Sequence, residues 1–142
     1  MKLSTRLRYG SRAMVALALH HNDGPLSLEA VARGQHIPER YLAKILQDLR
    51  RSGLIRSVRG AHGGYVLSRP PAQVNLLEVW EALEGPFSLV DCLDSPAICE
   101  VLSECVMRDV WGRMRGAVEE VLSAETLGGL VRRQKARPLR GG

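Results

Sequence analysis

Glu39-Arg40-Tyr41-Leu42-Ala43-Lys44-Ile45-Leu46-Gln47-Asp48-Leu49-Arg50-Arg51, then Ser52-Gly53, then Leu54-Ile55-Arg56-Ser57-Val58-Arg59-Gly60-Ala61-His62-Gly63-Gly64-Tyr65-Val66-Leu67, is the stretch on which the fold turns. Read at the period of an α-helix, Leu42, Ile45, Leu46 and Leu49 fall on one side and form a stripe that must face a core. Arg40, Lys44, Gln47 and Arg51 stand at i, i+4, i+7 and i+11 on the opposite side, so three cations and an amide share one ridge. A merely solvated face would mix signs, and here Glu39 and Asp48 are the only acids, both at the ridge's margins. After Gly53 the periodicity changes. Two β-prone runs, Leu54–Val58 and Tyr65–Leu67, flank a loop with glycines at 60, 63 and 64, which reads as a β-hairpin with Arg59 and His62 at its tip.

The residues just upstream give the helix its partner. Ser27 is a good N-cap, Glu29 suits a first turn, and Gly34 reads as the stop of a short helix. Pro38 follows where a first turn tolerates proline. Two short helices joined by three or four residues make a helix-turn-helix, and the hairpin directly after the second helix makes it winged. Gln can read adenine, Arg and Lys can read guanine, and any of them can hold phosphate. A glycine-rich wing lets its backbone approach phosphate, and an arginine at its tip suits a narrow minor groove. The expected DNA-contacting residues are therefore Arg40, Tyr41, Lys44, Gln47 and Arg51 on the helix, with Arg59 and His62 on the wing. Ala43 can meet a thymine methyl but makes no polar demand.

Charge supports a polyanion partner. Residues 1–69 carry twelve Lys/Arg against four acids, a net of +8, while residues 70–142 carry eight against eleven, a net of −3. A basic half of this kind points to nucleic acid first and to an anionic membrane surface second. With 142 residues, 45% hydrophobic and 25% charged, the chain has the composition of a single globular domain with at most a short appendage. No stretch approaches the ~20 apolar residues of a membrane span, and the N-terminus lacks the apolar core of a signal peptide. The expectation is a soluble, cytoplasmic protein without membrane association.

Upstream of the helix-turn-helix, Thr5–His21 reads as a first helix, broken by Asn22-Asp23-Gly24-Pro25. Downstream, Asn75 and Glu78 open a short helix over Leu76–Glu84 in a capping box, with Leu76, Val79, Trp80 and Leu83 facing inward. From Glu104 to Ala124 a longer helix carries Met107, Val110, Trp111, Met114, Val118, Val121 and Leu122 at near-heptad spacing. Its length, about 30 Å, exceeds what a small winged-helix core requires. Helix-turn-helix proteins dimerise to set two reading helices about one DNA turn apart, so this helix is read as a homodimer seam. Thr126–Gln134 reads as a last short helix. The expected fold is thus mostly α with a small β-hairpin wing: a winged helix-turn-helix plus a long dimerisation helix. Residues 1–70 form the DNA-binding region, 71–103 a connector helix and cysteine loop, 104–134 the dimerisation and C-terminal helices, and 135–142 a disordered tail.

Three cysteines fall within fourteen residues, at Cys92, Cys99 and Cys105. None forms a Cys-x-x-Cys pair, which removes the signature of zinc ribbons and thioredoxin-like sites. The intervening segment contains Pro96 and little periodicity, so it reads as a loop able to gather three thiolates. Thiolates suit iron–sulfur clusters, zinc or monovalent copper, and three of them leave one coordination position open. The alternatives are three buried thiols acting as small hydrophobes, or a metal-free thiol switch. An enzyme is not expected: no acid/base pair, phosphate-cradling loop or His-Glu-x-x-His is present.

Taken together, Lys2-Leu3-Ser4-Thr5…Arg8-Tyr9-Gly10…Ala13-Met14, Tyr41-Leu42…Ile45-Leu46…Leu49-Arg50…Gly53-Leu54-Ile55, Ser57 through Leu67, the cysteine trio and Thr126-Leu127-Gly128-Gly129-Leu130 resemble the IscR/NsrR family of bacterial winged-helix repressors over nearly the whole chain. The resemblance implies a homodimer on double-stranded operator DNA with its cysteine loop near the dimer interface. It also implies that Cys92, Cys99 and Cys105 hold a 2Fe–2S or 4Fe–4S cluster, whose gain, loss or reaction with nitric oxide or oxygen sets DNA affinity. Two positions depart from the family pattern. Where one branch has a ligating histidine three residues after the last cysteine, this chain has Arg108. Where another draws an acidic ligand from the partner's first helix, it has Arg8.

Overall fold

The computed structural model describes residues 2–95, 97, 100–101 and 104–138. Among these residues seven α-helices and one hairpin follow in the order α1 (Thr5–Leu19), α2 (Leu28–Gln35), α3 (Glu39–Arg51), β1 (Ile55–Val58), β2 (Gly64–Leu67), α4 (Leu76–Glu84), α5 (Asp91–Asp94), α6 (Val106–Ala124) and α7 (Leu127–Ala136), with a 3-10 turn over Pro71–Gln73. This is the mostly helical winged helix-turn-helix that the sequence implies.

Side-chain caps fix several helix starts. Ser4 accepts from the Leu7 amide, Ser27 from the Ala30 amide and Thr126 from the Gly129 amide. At α4, Asn75 accepts from the Glu78 amide while the Glu78 carboxylate accepts from the Asn75 amide, the expected capping box. Leu42, Ile45, Leu46 and Leu49 are fully buried, as their spacing on α3 predicts. They meet Ala13, Met14 and Leu17 of α1, Val31 and Ala32 of α2, and Val79 and Leu83 of α4 in one core. At the crossing of α1 with α3 and α4, Gly10 leaves no room for a side chain. A Cβ there would overlap Leu83 and lie 3.2 Å from Ile45.

The turn between α2 and α3 differs from its sequence reading. Gly34 does not end α2, which continues to Gln35, and His36 takes the left-handed conformation at φ 54°. The Ile37 amide donates to Ala32 (2.9 Å) and the His36 amide to Arg33, the two bonds of a Schellman motif. The reason is tertiary. Ile37 must drop into the core beside Ala32, and this places the residue before it, whatever its identity, in the left-handed region. The same closure ends α3, now with glycine: Gly53 (φ 83°) donates to Arg50, and Leu54 donates to Leu49.

The wing is antiparallel, with Ile55 opposite Leu67 and Val58 opposite Gly64. A third, one-residue strand braces it, since Leu26 and Tyr65 exchange both backbone hydrogen bonds (3.1 and 2.8 Å). Gly64 is required at that contact. Its φ is 153°, and a Cβ would overlap the Leu26 carbonyl.

The C-terminal helix returns to the first. The Leu127 amide donates to Val74 and the Leu76 amide to Glu125, so the starts of α4 and α7 are stitched together, and Leu127 is fully buried. α7 runs to Ala136, so Lys135 and Ala136 are helical rather than part of a disordered tail. Residues 139–142 of that expected tail lie outside the described residues. Similarly, the cysteine segment begins with a helical turn, α5, where the sequence suggested only loop.

Candidate nucleic-acid interface and cysteine segment

The capping of α3 and the burial of its leucine stripe leave its other face in solvent. Arg40, Tyr41, Lys44, Gln47 and Arg51 are all exposed. Among the described residues Arg40 and Lys44 enter no ion pair. Arg59 and His62 are exposed in the loop between β1 and β2, which the Schellman closure at Gly53 joins directly to the end of α3. Helix α3 and the wing are therefore one continuous piece of chain.

Three features of this face follow from tertiary contacts. Tyr41 is held edge-on by Tyr9 of α1, with ring centroids 5.7 Å apart and planes at 84°. The Arg12 guanidinium sits 5.8 Å above the Tyr9 ring, and it donates to the Gln35 backbone carbonyl. Asp48, half-buried on the flank of the ridge, accepts from Arg6 of α1 and lies 3.5 Å from Arg51. Sequence spacing marks Asp48 as an acid beside a basic ridge. Its partner forty-two positions earlier, like Tyr9 and Arg12 behind Tyr41, has no local signal.

The second region of interest surrounds α6. Arg108, Trp111, Arg115, Val118 and Leu122 are half-buried, and α6 packs on α4 and α5. One hundred degrees around the helix, Met107, Val110, Met114, Ala117, Val121 and Ala124 repeat at alternating steps of three and four, and every one is exposed. No residue of this nineteen-residue helix is buried, and Val106 and Val121 are 74% and 61% exposed. Nearby, an apolar groove lined by Leu3, Leu7, Leu76, Trp80 and Leu122, with Arg8 and Arg12 on its rim, also opens to solvent. Trp80 is braced by Phe87, their ring centroids 5.1 Å apart.

The cysteine segment joins these parts. Cys92 is half-buried on α5, and α5 is tied to α6 by Arg115, which donates to Asp94 (2.9 Å) and to Glu119 (3.0 Å). These two carboxylates hold the Arg115 guanidinium more firmly protonated than usual, the Glu119 hydrogen bond contributing most. Cys105 is half-buried at the N-cap of α6, and Cys99 lies outside the described residues. Among the described residues no disulfide forms and no three His, Cys, Asp or Glu side chains converge as a metal site. Arg108 stands in the first turn of α6, and its side chain supplies no ligand atom.

A helix-turn-helix with its wing and a basic reading ridge is an architecture that many regulators share, so the family is decided by the whole chain. The profile of the Rrf2 family, described as iron-dependent transcriptional regulators, matches residues 3–133. The chain belongs to the Rrf2 family. Among its Rrf2 relatives, the HTH-type transcriptional regulator CymR of Bacillus subtilis is 41% identical over 127 residues, spanning 89% of this chain and 87% of CymR. The solved structure of CymR (YrzC), the global cysteine regulator of B. subtilis, superposes with a TM-score of 0.81 at 39% identity, covering 93% of this chain and 97% of that one. The structure of T. potens IscR gives the same TM-score at 34% identity, covering 99% and 94%. The protein is accordingly an Rrf2 transcriptional regulator of the helix-turn-helix type and not an enzyme. Among the described residues no helix is long and apolar enough to cross a membrane.

Proposed function

We propose that this Rrf2 regulator is a cytoplasmic homodimeric repressor that reads operator DNA with Arg40, Tyr41, Lys44, Gln47, Arg51, Arg59 and His62. In this reading its affinity for DNA is set by an iron–sulfur cluster on Cys92, Cys99 and Cys105. The observation that carries the proposal is the exposed Met107/Val110/Met114/Ala117/Val121 seam on the very helix that Cys105 caps and to which α5, with Cys92, is tied. An apolar heptad seam in solvent is completed by a second copy, and a dimer supplies the two reading helices that a two-fold operator requires. The work divides as the sequence suggests: residues 1–70 contact DNA, 71–103 carry the sensor, and 104–134 join the subunits.

The donor set fits the cluster. Three soft thiolates come from one short segment, Cys92 and Cys105 are half-buried and outside any disulfide among the described residues, and no competing zinc-type pair is present. When bound, the cluster would supply a redox-active, dissociable centre held by Cys92, Cys99 and Cys105. With neither Arg108 nor Arg8 able to ligate, the fourth position falls to another group, and both the 2Fe–2S and the 4Fe–4S forms fit three thiolates.

A second reading is favoured by one finding: a CymR relative, that of Staphylococcus aureus, has been solved in an oxidized form, at 36% identity and a TM-score of 0.74. Here the same three thiols switch by oxidation, without metal. Iron and acid-labile sulfide on protein purified without oxygen, together with the visible spectrum, separate the two. Near-stoichiometric iron and sulfide with a charge-transfer band supports the cluster. Their absence in protein that still binds DNA with thiol-dependent affinity supports the metal-free switch. Cys99→Ala is expected to abolish cluster uptake and leave the fold intact.

A further inference from the structure

The cations of the reading face are not equivalent. Arg40 and Lys44 point into solvent without an acidic partner among the described residues, but Arg51 lies 3.5 Å from Asp48, and Arg6 of α1 pairs with the other carboxylate oxygen. Apart from Glu39 at its N-terminal end, Asp48 is the only acid on α3, and helical geometry sets it between Lys44 and Tyr41 at the edge of the ridge. Its side chain is 21% exposed, while those of Arg6 and Arg51 are 38% and 68% exposed. A half-buried carboxylate on a face built to meet a polyanion requires an explanation.

A brace between α1 and α3 is an insufficient one. The crossing is already closed where Gly10 meets Ile45 and Leu83, and the four aliphatic side chains of α3 are fully buried beneath it. Solvent-accessible ion pairs add little to such a contact. Charge placement explains more. Phosphate contacts strengthen binding to every sequence alike, each adding about 0.9 to the salt slope, whereas base contacts strengthen binding only to the right one. A carboxylate at the margin of the ridge that engages Arg6 and Arg51 lowers phosphate affinity without engaging Arg40, Lys44 or Gln47.

We propose that Asp48 is a specificity-determining residue: through paired ion contacts it weakens the hold of Arg6 and Arg51 on the DNA backbone, Arg51 keeping its place among the DNA-contacting residues as a phosphate contact, so that discrimination rests on Arg40, Lys44 and Gln47. This inference rests on the reading of α3 as the DNA-contacting helix. It predicts opposite signs for two charge-removing changes. Asp48→Asn frees both arginines. Arg6→Gln leaves Asp48 wholly to Arg51 and so subtracts charge from the face.

The test uses the full-length protein and fluorescence anisotropy across a salt series. One probe is a mixed-sequence duplex of about 30 base pairs, and the other is a duplex that the wild-type chain selects from a random pool. Asp48→Asn is expected to bind the mixed duplex about three- to tenfold more tightly, to steepen the salt slope by about one, and to narrow the ratio between selected and mixed duplexes. Arg6→Gln is expected to bind the mixed duplex more weakly, by about threefold, at an unchanged melting temperature. If both variants weaken binding and lower the melting temperature together, Asp48 is only a brace and the proposal is overturned. Unchanged affinity in Asp48→Asn overturns it equally. Arg40→Ala and Lys44→Ala serve as controls for the underlying reading. If neither alters binding to either duplex, the DNA-contacting role of α3 fails, whatever Asp48 does.

Discussion

The region from α1 to α4 with α7 and the region around α5 and α6 are built on opposite terms. The first closes on itself. Side chains cap the starts of α1, α2, α4 and α7, the turns after α2 and α3 satisfy their backbone groups, and a single core runs from Leu7 to Leu127. The second leaves apolar groups exposed: α6 has one face half-covered by α4 and the other, at heptad spacing, exposed at Met107, Val110, Met114 and Val121. The difference teaches where stability and where response reside. A reading head must hold its side chains in fixed positions, which packing achieves. In the proposed function the second region is the sensor, which must have more than one accessible arrangement, and an exposed helix with Cys105 at its N-cap allows one.

Breaking the comparison from the packed side gives the largest effect. Leu46→Ala removes a fully buried side chain and is expected to cost about 2–5 kcal/mol in chemical unfolding. Met114→Ala, the same kind of truncation on α6, is expected to leave the unfolding of the monomer nearly unchanged, because its side chain is exposed. A comparable loss in both variants would mean that α6 belongs to the core of its own chain.

From the other side, Met114→Glu sets a charge in the middle of the exposed seam. It is expected to weaken subunit association by about 2 kcal/mol or more, seen in sedimentation as a shift towards the 15.7 kDa monomer. The same change should not disturb the reading head, so circular dichroism of the variant would match the parent protein. A persisting dimer would place the interface elsewhere.

A third, smaller effect sharpens the boundary of the packed region. Glu78 caps α4 and pairs with Arg69 at 2.7 Å. Burial opposes its ionisation, but the Asn75 amide and the Arg69 guanidinium together hold its carboxyl below the ordinary 4.5. A lowered folded value means that the charged form stabilises the fold above that pH and that this contribution fades as pH falls through the lowered value. Both side chains are more than a third exposed or nearly so, which keeps the effect small. Glu78→Gln is expected to cost no more than about 1 kcal/mol at neutral pH, with the gap from the parent closing below pH 4.5. A gap that stayed constant with pH would assign the effect to the hydrogen-bonded cap alone.

How much of this was legible in the sequence follows the same division. The reading head was legible because its signals are local: Ser27 and Asn75 as caps, Gly53 as a stop, the leucine stripe of α3, and glycines around a hairpin. Where the sequence misled, the cause was long-range. Gly34 looks like the stop of α2, yet Ile37's place in the core transfers the left-handed residue to His36. Nothing near Thr126 announces that Leu127 will be stitched to Val74 and buried against the first helix. Among the site residues, the exposure of Arg40, Lys44 and Gln47 could be read from spacing, but the pairing of Asp48 with Arg6, and the Arg12–Tyr9–Tyr41 stack, join residues far apart in the chain. The cysteines stand out by clustering, a fact of composition. Their chemistry depends on groups around them that clustering does not name.

The central claim is that the state of the cysteine segment controls the DNA affinity of the reading head. The most direct measurement is the affinity of one preparation for its selected duplex before and after removal of iron and alkylation of the thiols, beside Cys99→Ala treated identically. The account predicts a change of about tenfold or more in the parent protein, equivalent to about 1.4 kcal/mol of coupling, and none in Cys99→Ala. Equal affinities before and after treatment in the parent would contradict it, leaving a constitutive DNA-binding protein whose cysteines do not speak to its wing.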